Sequence, residues 1–185
     1  MQYFIGIKTP NNYNKIIISI RESLNLKTTE PHITIIPPNI LPKDDIFIKD
    51  LISCCSDIAK FDIEISDLGQ FDDRVIFFKI NSKEISDVKS KIVNALKLTE
   101  EKRKFVPHLT ILKRKYMNKT NLEKVHQIVK NKLPAKQIYT VSSLVVYQQK
   151  TDNAAFLPYM EIPLNSEQWK NEQWIMKVKM LRILF

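Results

Sequence analysis

The chain has 185 residues, 44% of them hydrophobic and 26% charged, the balance of one soluble globular domain or of two small lobes fused together. That balance excludes disorder, collagen-like repeats and a disulfide scaffold, and with only 2 glycines no Gly-rich phosphate loop of the P-loop or dinucleotide type can form. The net charge of +9 favours an anionic partner: a nucleic acid, a nucleotide or a membrane surface.

Periodicity along the chain alternates between strand and helix. Tyr3 to Lys8 reads as a strand, and Pro10 introduces a helix running to about Leu26. Ile33, Ile35 and Ile36 mark a second strand, stopped by Pro37 and Pro38. Asp44 and Asp45 suit the start of a helix carrying Ile46, Phe47, Leu51, Ile52 and Ala59. Phe61, Ile63, Ile65 and Leu68 alternate as a strand that turns near Gly69 and Asp72-Asp73 into another, Val75 to Ile80. Ser82 is placed to cap a helix with Ile85, Val88, Ile92, Val93, Leu96 and Leu98 on one face. A strand over Leu109 to Leu112 follows Pro107, then a helix around Leu122, Val125, Ile128 and Val129 ending near Pro134. Strands at Ile138 to Tyr147 and Phe156 to Leu164 close the body. Helices interleaved with antiparallel-capable hairpins predict an α+β fold.

Charge is unevenly spread. Asp44 to Asp73 holds 9 acidic and 2 basic residues, whereas Lys102 to Lys119 holds 7 basic residues and no acid. One basic island suggests a defined place for phosphate. Cys54 and Cys55 are neighbours that cannot form an unstrained disulfide with each other, so they read as reduced core or boundary residues. The N-terminus lacks the pattern of a signal peptide and no window is apolar enough to span a bilayer, so the expected location is cytoplasmic.

One repeat stands out. Pro31-His32-Ile33-Thr34-Ile35 recurs as Pro107-His108-Leu109-Thr110-Ile111, 76 residues later and again at the start of a strand that follows a helix. The chain therefore reads as a duplicated, bilobed fold, its lobes related by a pseudo-twofold axis around a cleft lined by antiparallel sheet, with helices outside. On a strand, residues i and i+2 share a face, so each copy presents one imidazole and one hydroxyl while its isoleucine or leucine enters the core. Two histidines titrating near neutrality can divide base and acid duties, and the hydroxyls of Thr34 and Thr110 can donate to nonbridging phosphate oxygens. The matching reaction is in-line displacement at a phosphodiester without a metal. A lone H-x-T is common by chance in strands; two copies in matching pentapeptides, taking two of only 3 histidines, are not. Zinc binding fits poorly, because neither motif has an acidic residue and the chain has no H-E-x-x-H or C-x-x-C. His126, among Lys124, Gln127 and Lys130, reads as a surface residue.

With these motifs the sequence resembles the two-histidine (2H) phosphoesterase superfamily, which includes 2′-5′ RNA ligase-like proteins and cyclic-nucleotide phosphodiesterases. The resemblance runs over about residues 2–164, from the strand Phe4-Ile5-Gly6-Ile7 through both H-x-T motifs to Ile162-Pro163-Leu164. It implies a bilobed α+β fold with a central groove, no cofactor, and a catalytic set of His32, Thr34, His108 and Thr110. Several relatives carry a basic residue five positions after the second histidine, here Lys113, with Arg114 beside it as a further substrate-binding candidate. Lys113 does not share strand parity with His108, so a phosphate contact from it requires a bend. The implied substrates are a nucleotide or an RNA or oligonucleotide carrying a 2′,3′-cyclic phosphate, a 2′-5′ linkage such as oligoadenylate, or a cyclic oligonucleotide messenger. In that last case the enzyme would act in counter-defence. Phe4, Tyr116 and Tyr147 are conceivable platforms for a base.

Residues 1–164 thus read as one domain of two interleaved lobes, and 165–185 as an extension in which Trp174, Val178, Leu181 and Phe185 fall at helical spacing. With Lys170, Lys177, Lys179 and Arg182 it could meet a membrane surface or a partner, or pack back on the body. Residue order leaves two other functions open: a nucleic-acid- or nucleotide-binding module without turnover, and an adaptor docking through the tail.

Overall fold

Among the described residues, alternating apolar side chains build eight strands and stripes of apolar side chains build three helices. The computed structural model describes residues 1–24, 26, 29–72, 75–99, 104–113, 136–152 and 154–165. In chain order the elements are β1 (Gln2–Lys8), α1 (Asn11–Glu22), β2 (His32–Ile36), α2 (Ile48–Ser56), β3 (Phe61–Phe71), β4 (Val75–Asn81), α3 (Ile85–Ala95), β5 (His108–Lys113), β6 (Gln137–Val141), β7 (Ser143–Gln149) and β8 (Leu157–Pro163). Every neighbouring pair is antiparallel, in the order β6-β3-β4-β5-β2-β1-β7-β8.

That order is symmetric about its middle. β1–α1–β2 and β4–α3–β5 are the same strand–helix–strand unit, each flanked by an inner strand (β7 or β3) and an outer one (β8 or β6). The α+β class with antiparallel strands is the observed one. The two halves adjoin side by side through β2 and β5, which meet where Ile33 faces Leu109. The sheet is also curled: Val141 ends β6 at one edge and Ser143 begins β7 near the other, so a single residue, Ser142, brings the two sides together. The strand read as continuous from Ile138 to Tyr147 is therefore broken at Ser142, whose carbonyl accepts from the Leu164 amide at 2.8 Å.

One face of the sheet carries the main core. Tyr3, Ile5 and Ile7 of β1, Ile33, Ile35 and Ile36 of β2, and Leu109, Ile111 and Leu112 of β5 are buried in it against Tyr13, Ile17 and Ile20 of α1 and Val88 and Ile92 of α3. Each fully buried aliphatic side chain contributes about 1.5–3 kcal/mol. The helices cross over, α1 contacting β5 and α3 contacting β2, so each half's helix underlies the other half's motif strand.

Helix boundaries depart from the sequence reading in consistent ways. α2 starts at Ile48 rather than at Asp44-Asp45, and Ala59 lies beyond its end. Asp45 accepts instead from the Tyr159 hydroxyl at 3.2 Å, and Ile46 is left 76% exposed while Phe47 and Ile48 enter the core. α1 ends at Glu22, short of Leu26, whose amide turns back to the Arg21 carbonyl. α3 is capped at Glu84, not Ser82; the Ser82 hydroxyl donates to the Asp62 carbonyl and accepts from the Glu84 amide. Past Ala95, Lys97 adopts a φ of 51°, which stops the helix before Leu98. Cys54 and Cys55 are free thiols on α2, the second fully buried. The helix expected around Leu122 to Val129, His126, and the tail beyond residue 165 lie outside the described residues.

Candidate active site

The opposite face of β2 and β5 opens into a cleft of about 800 Å³ lined by His32, Thr34, His108 and Thr110. The pairing of Ile33 with Leu109 in antiparallel register sets their arrangement. Extended by one residue each way, it puts His32 opposite Thr110 and Thr34 opposite His108. Directly opposed side chains have Cβ atoms roughly 5 Å apart and diagonal ones roughly 7–8 Å. The two histidines occupy one diagonal and the two threonines the other, leaving room between them for a tetrahedral phosphate.

Both imidazoles are anchored the same way. His32 Nδ1 lies 2.6 Å from the Glu30 carbonyl and His108 Nδ1 lies 2.7 Å from the Val106 carbonyl. A carbonyl only accepts, so Nδ1 carries the hydrogen and Nε2 is the titrating nitrogen of each ring. Aromatic rings pin them further: Phe4 and Tyr147 at 4.5 and 5.3 Å from His32, Phe71 and Phe77 at 5.0 and 5.2 Å from His108. The chain's two glycines make room for this packing. A Cβ at Gly69 would stand 2.5 Å from Phe77 Cε2, and one at Gly6 would stand 2.8 Å from the Ile33 carbonyl oxygen and 3.3 Å from Phe4 Cε2.

Burial disfavours the charged form of both rings. It is the main reason that the His32 pKa falls to about 4; the Glu30 hydrogen bond opposes it, and the smaller effects of the charges on Arg21, Lys113 and His108 push the same way as burial. His108 is lowered too, by burial first and by Lys113, against the hydrogen bond to Val106. Both rings are thus neutral at pH 7 in the empty cleft.

The duplication extends to an irregularity. Along β1–β2, Ile5 faces Ile36 and Gly6 faces Thr34, so Ile35 is an extra residue. Along β4–β5, Ile76 faces Leu112 and Phe77 faces Thr110, so Ile111 is extra. Each motif strand bulges at the residue after its threonine, and a bulge reverses the parity of the residues beyond it. This is the bend that Lys113 needed: it pairs with Val75, and both line the cleft with His108. The residues matching Lys113 and Arg114 in the first copy are Pro37 and Pro38, so Lys113 has no counterpart on the first motif strand. Arg114 and Tyr116 lie outside the described residues.

Of the proposed aromatic platforms, Phe4 reaches the cleft, but Tyr147 does not. It is 0% exposed, stacked under Phe4 at 4.5 Å, because β7 is covered on both faces. Phe71 and Phe156 line the cleft instead, together with Gln149 and Asp152. The sequence reading missed these, and it missed Arg21, a buried cation that also lines the cleft. Arg21 had a signal: it continues the apolar stripe Tyr13–Ile17 by one further helical turn, at a position that an aliphatic residue would ordinarily fill. Among the described residues, no group of three or more His, Cys, Asp or Glu side chains could hold a metal ion, and no helix is long and apolar enough to cross a membrane.

Comparison with known proteins bears on this arrangement. A profile of the 2′-5′ RNA ligase superfamily matches residues 20–153, a span containing both H-x-T motifs. No curated protein sequence matches. Among solved structures, Escherichia coli LigT complexed with 3′-AMP is 16% identical with a TM-score of 0.58, over 89% of this chain and 98% of that one. LigT has also been solved in complex with ATP, at a TM-score of 0.57. TT0787 of Thermus thermophilus is 14% identical with a TM-score of 0.57, over 90% of this chain and all of that one. At these identities the likeness is one of fold.

Proposed function

Because the chain belongs to the 2′-5′ RNA ligase superfamily, one of the two-histidine phosphoesterases, we propose that it is a phosphoesterase acting on RNA-type phosphodiesters by acid–base catalysis between His32 and His108. The observation that carries this reading is the matched anchoring of the two rings. Each holds Nδ1 on the carbonyl two residues upstream, so both titrating Nε2 atoms belong to one cleft that also holds two threonines and Lys113.

His32, the ring with the more strongly depressed pKa, suits the base. Its neutral Nε2 takes a proton from water, whose oxygen attacks phosphorus in line. The bond from phosphorus to the ribose oxygen opposite breaks, and His108 gives its proton to that oxygen. Phosphate itself readies His108: an anion against the ring favours the imidazolium and offsets the desolvation that lowers its pKa in the empty cleft. The hydroxyls of Thr34 and Thr110 donate to the nonbridging oxygens, and Lys113 balances the charge that builds there. On a 2′,3′-cyclic phosphate the attacking oxygen is that of water; on a 2′-5′ linkage it is the neighbouring 3′ hydroxyl, with the 5′ oxygen leaving. LigT, which shares the fold, has been seen with 3′-AMP and ATP, and a cleft of about 800 Å³ accommodates ligands of that size. The free thiols of Cys54 and Cys55 fit a reducing, cytoplasmic setting.

The test is a screen in EDTA of 2′,3′-cyclic nucleotides, 2′-5′ oligoadenylates and cyclic oligonucleotides, read by product identity. Turnover is expected on at least one class, falling by about 10²–10⁴-fold for His32→Ala and again for His108→Ala while both variants stay folded. Salt-sensitive RNA binding with no turnover of any substrate would instead make the chain a binding module.

A further inference from the structure

Arg21 is 9% exposed on α1, yet its guanidinium reaches across to the other half of the fold as well as to its own. Nε donates to the Ile111 carbonyl at 3.0 Å and Nη2 to the Thr110 carbonyl at 2.8 Å, both on β5, while Nη1 donates to the Thr29 carbonyl at 2.8 Å, just before the first motif. Ile111 is the extra residue of the β5 bulge. A bulge takes its extra residue out of the ladder, and a buried carbonyl left without a donor is costly. Arg21 supplies the donors. Thr29 carries the connection onward: its hydroxyl accepts from the Phe156 amide at 3.1 Å, and the Phe156 ring packs at 5.0 Å on Phe4, which lies 4.5 Å from His32. α3, the corresponding helix of the other half, contains no arginine, so this clamp belongs to one side of the duplication.

We propose that Arg21 is a positioning residue that fixes the Thr110 backbone, holds the β5 bulge in the shape that turns Lys113 into the cleft, and ties that strand to the loop entering the first motif. A planar fork with several donors can satisfy carbonyls on two segments at once, which a lysine ammonium on a flexible stem does not reproduce. Arg21 also contributes to the low pKa of His32, so its loss has a titration signature apart from any effect on folding.

The inference deepens the phosphoesterase reading, and its test separates the two. The intact chain is compared with Arg21→Lys and Arg21→Gln for thermal midpoint, for inorganic phosphate affinity followed by the His32 and His108 ring proton signals, and for kinetics on a substrate that the wild type turns over. Arg21→Lys keeps the charge but loses the fork. It is expected to fold, to bind phosphate about fivefold more weakly, and to lose about tenfold or more in kcat/KM, with the larger share in KM, because Lys113 and Thr110 are misaimed. Arg21→Gln is expected to show the same losses and, in addition, a His32 titration midpoint moved upward. A folded Arg21→Lys that matches wild-type phosphate affinity and kcat/KM within twofold overturns the proposal, and it decides the matter if Arg21→Gln does not fold. A wild-type chain that binds phosphate but turns over no phosphodiester overturns the phosphoesterase reading alone, since phosphate affinity still reports on Arg21. A wild-type chain that neither binds phosphate nor turns over a substrate overturns both.

Discussion

Adding one methyl group at Gly69 probes the packing of the candidate site directly. The Cβ of Gly69→Ala would stand 2.5 Å from Phe77 Cε2, 2.7 Å from Cζ and 3.3 Å from Cδ2. Ordinary carbon contacts are about 3.5–4.0 Å, so the ring must retreat by roughly 1 Å. It has nowhere free to go: Phe77 is buried, with Phe71 at 4.2 Å and His108 at 5.2 Å between ring centroids. Overpacking of this kind costs about 1–3 kcal/mol, while replacing glycine within a strand returns about 0.5–1 kcal/mol of backbone entropy. The net expectation is a loss of about 0.5–2 kcal/mol, read by urea unfolding. Activity should suffer more than stability, because a shift of about 1 Å in a catalytic ring can cost about 10²-fold in rate. A double-mutant cycle with Phe77→Leu isolates the contact: trimming the ring should be less harmful in the alanine background than in the wild type. Additive effects, or an alanine variant as stable and as active as the parent, would refute the packing argument.

The remaining predictions concern charge. The unfolded chain protonates His32 near 6.5 and the folded chain only near 4, so the unfolded state binds the extra proton between those values and stability is lost as pH falls through that window. The shift corresponds to about 3 kcal/mol as an upper figure; urea midpoints from pH 7 to pH 4 should show the decline, and His32→Asn should flatten it, whereas identical slopes would contradict the assignment. Lys113→Met should raise KM by about tenfold with a much smaller change in kcat, and should lower the salt slope of substrate binding by about 1 if a single phosphate contact is removed. An unchanged salt slope would place Lys113 outside the phosphate site.

Much of this chain could be read from residue order alone, because the signals involved are local. Alternation of apolar residues marked the strands, Pro10 marked the start of α1, a helical stripe marked α3, and the repeated pentapeptide marked both motif strands. That His32 and Thr34 leave one face while Ile33 and Ile35 leave the other follows from the pleat, and the structure buries both isoleucines completely. Helix ends were less legible. Asp45 has the chemistry of a helix start, but a hydrogen bond from Tyr159, 114 residues away, claims its carboxylate.

Pairing was decided only in three dimensions. The order β6-β3-β4-β5-β2-β1-β7-β8 sets the two motif strands side by side, and the contact of Ile33 with Leu109 fixes the diagonal of the histidines. The bulges at Ile35 and Ile111 arise from the register between strands, so nothing in the motifs could show that Lys113 turns into the cleft. The break at Ser142 follows from the curl of the sheet, and Tyr147 is sealed behind Phe4 because β7 is covered on both faces. Arg21 makes the same point: its side chain belongs by sequence to the first half and by hydrogen bonds largely to the second. Residue order sets what each segment can present, since propensity and pleat act over a few residues. Which segments become neighbours depends on burying the whole apolar surface at once, and that is a property of the folded chain.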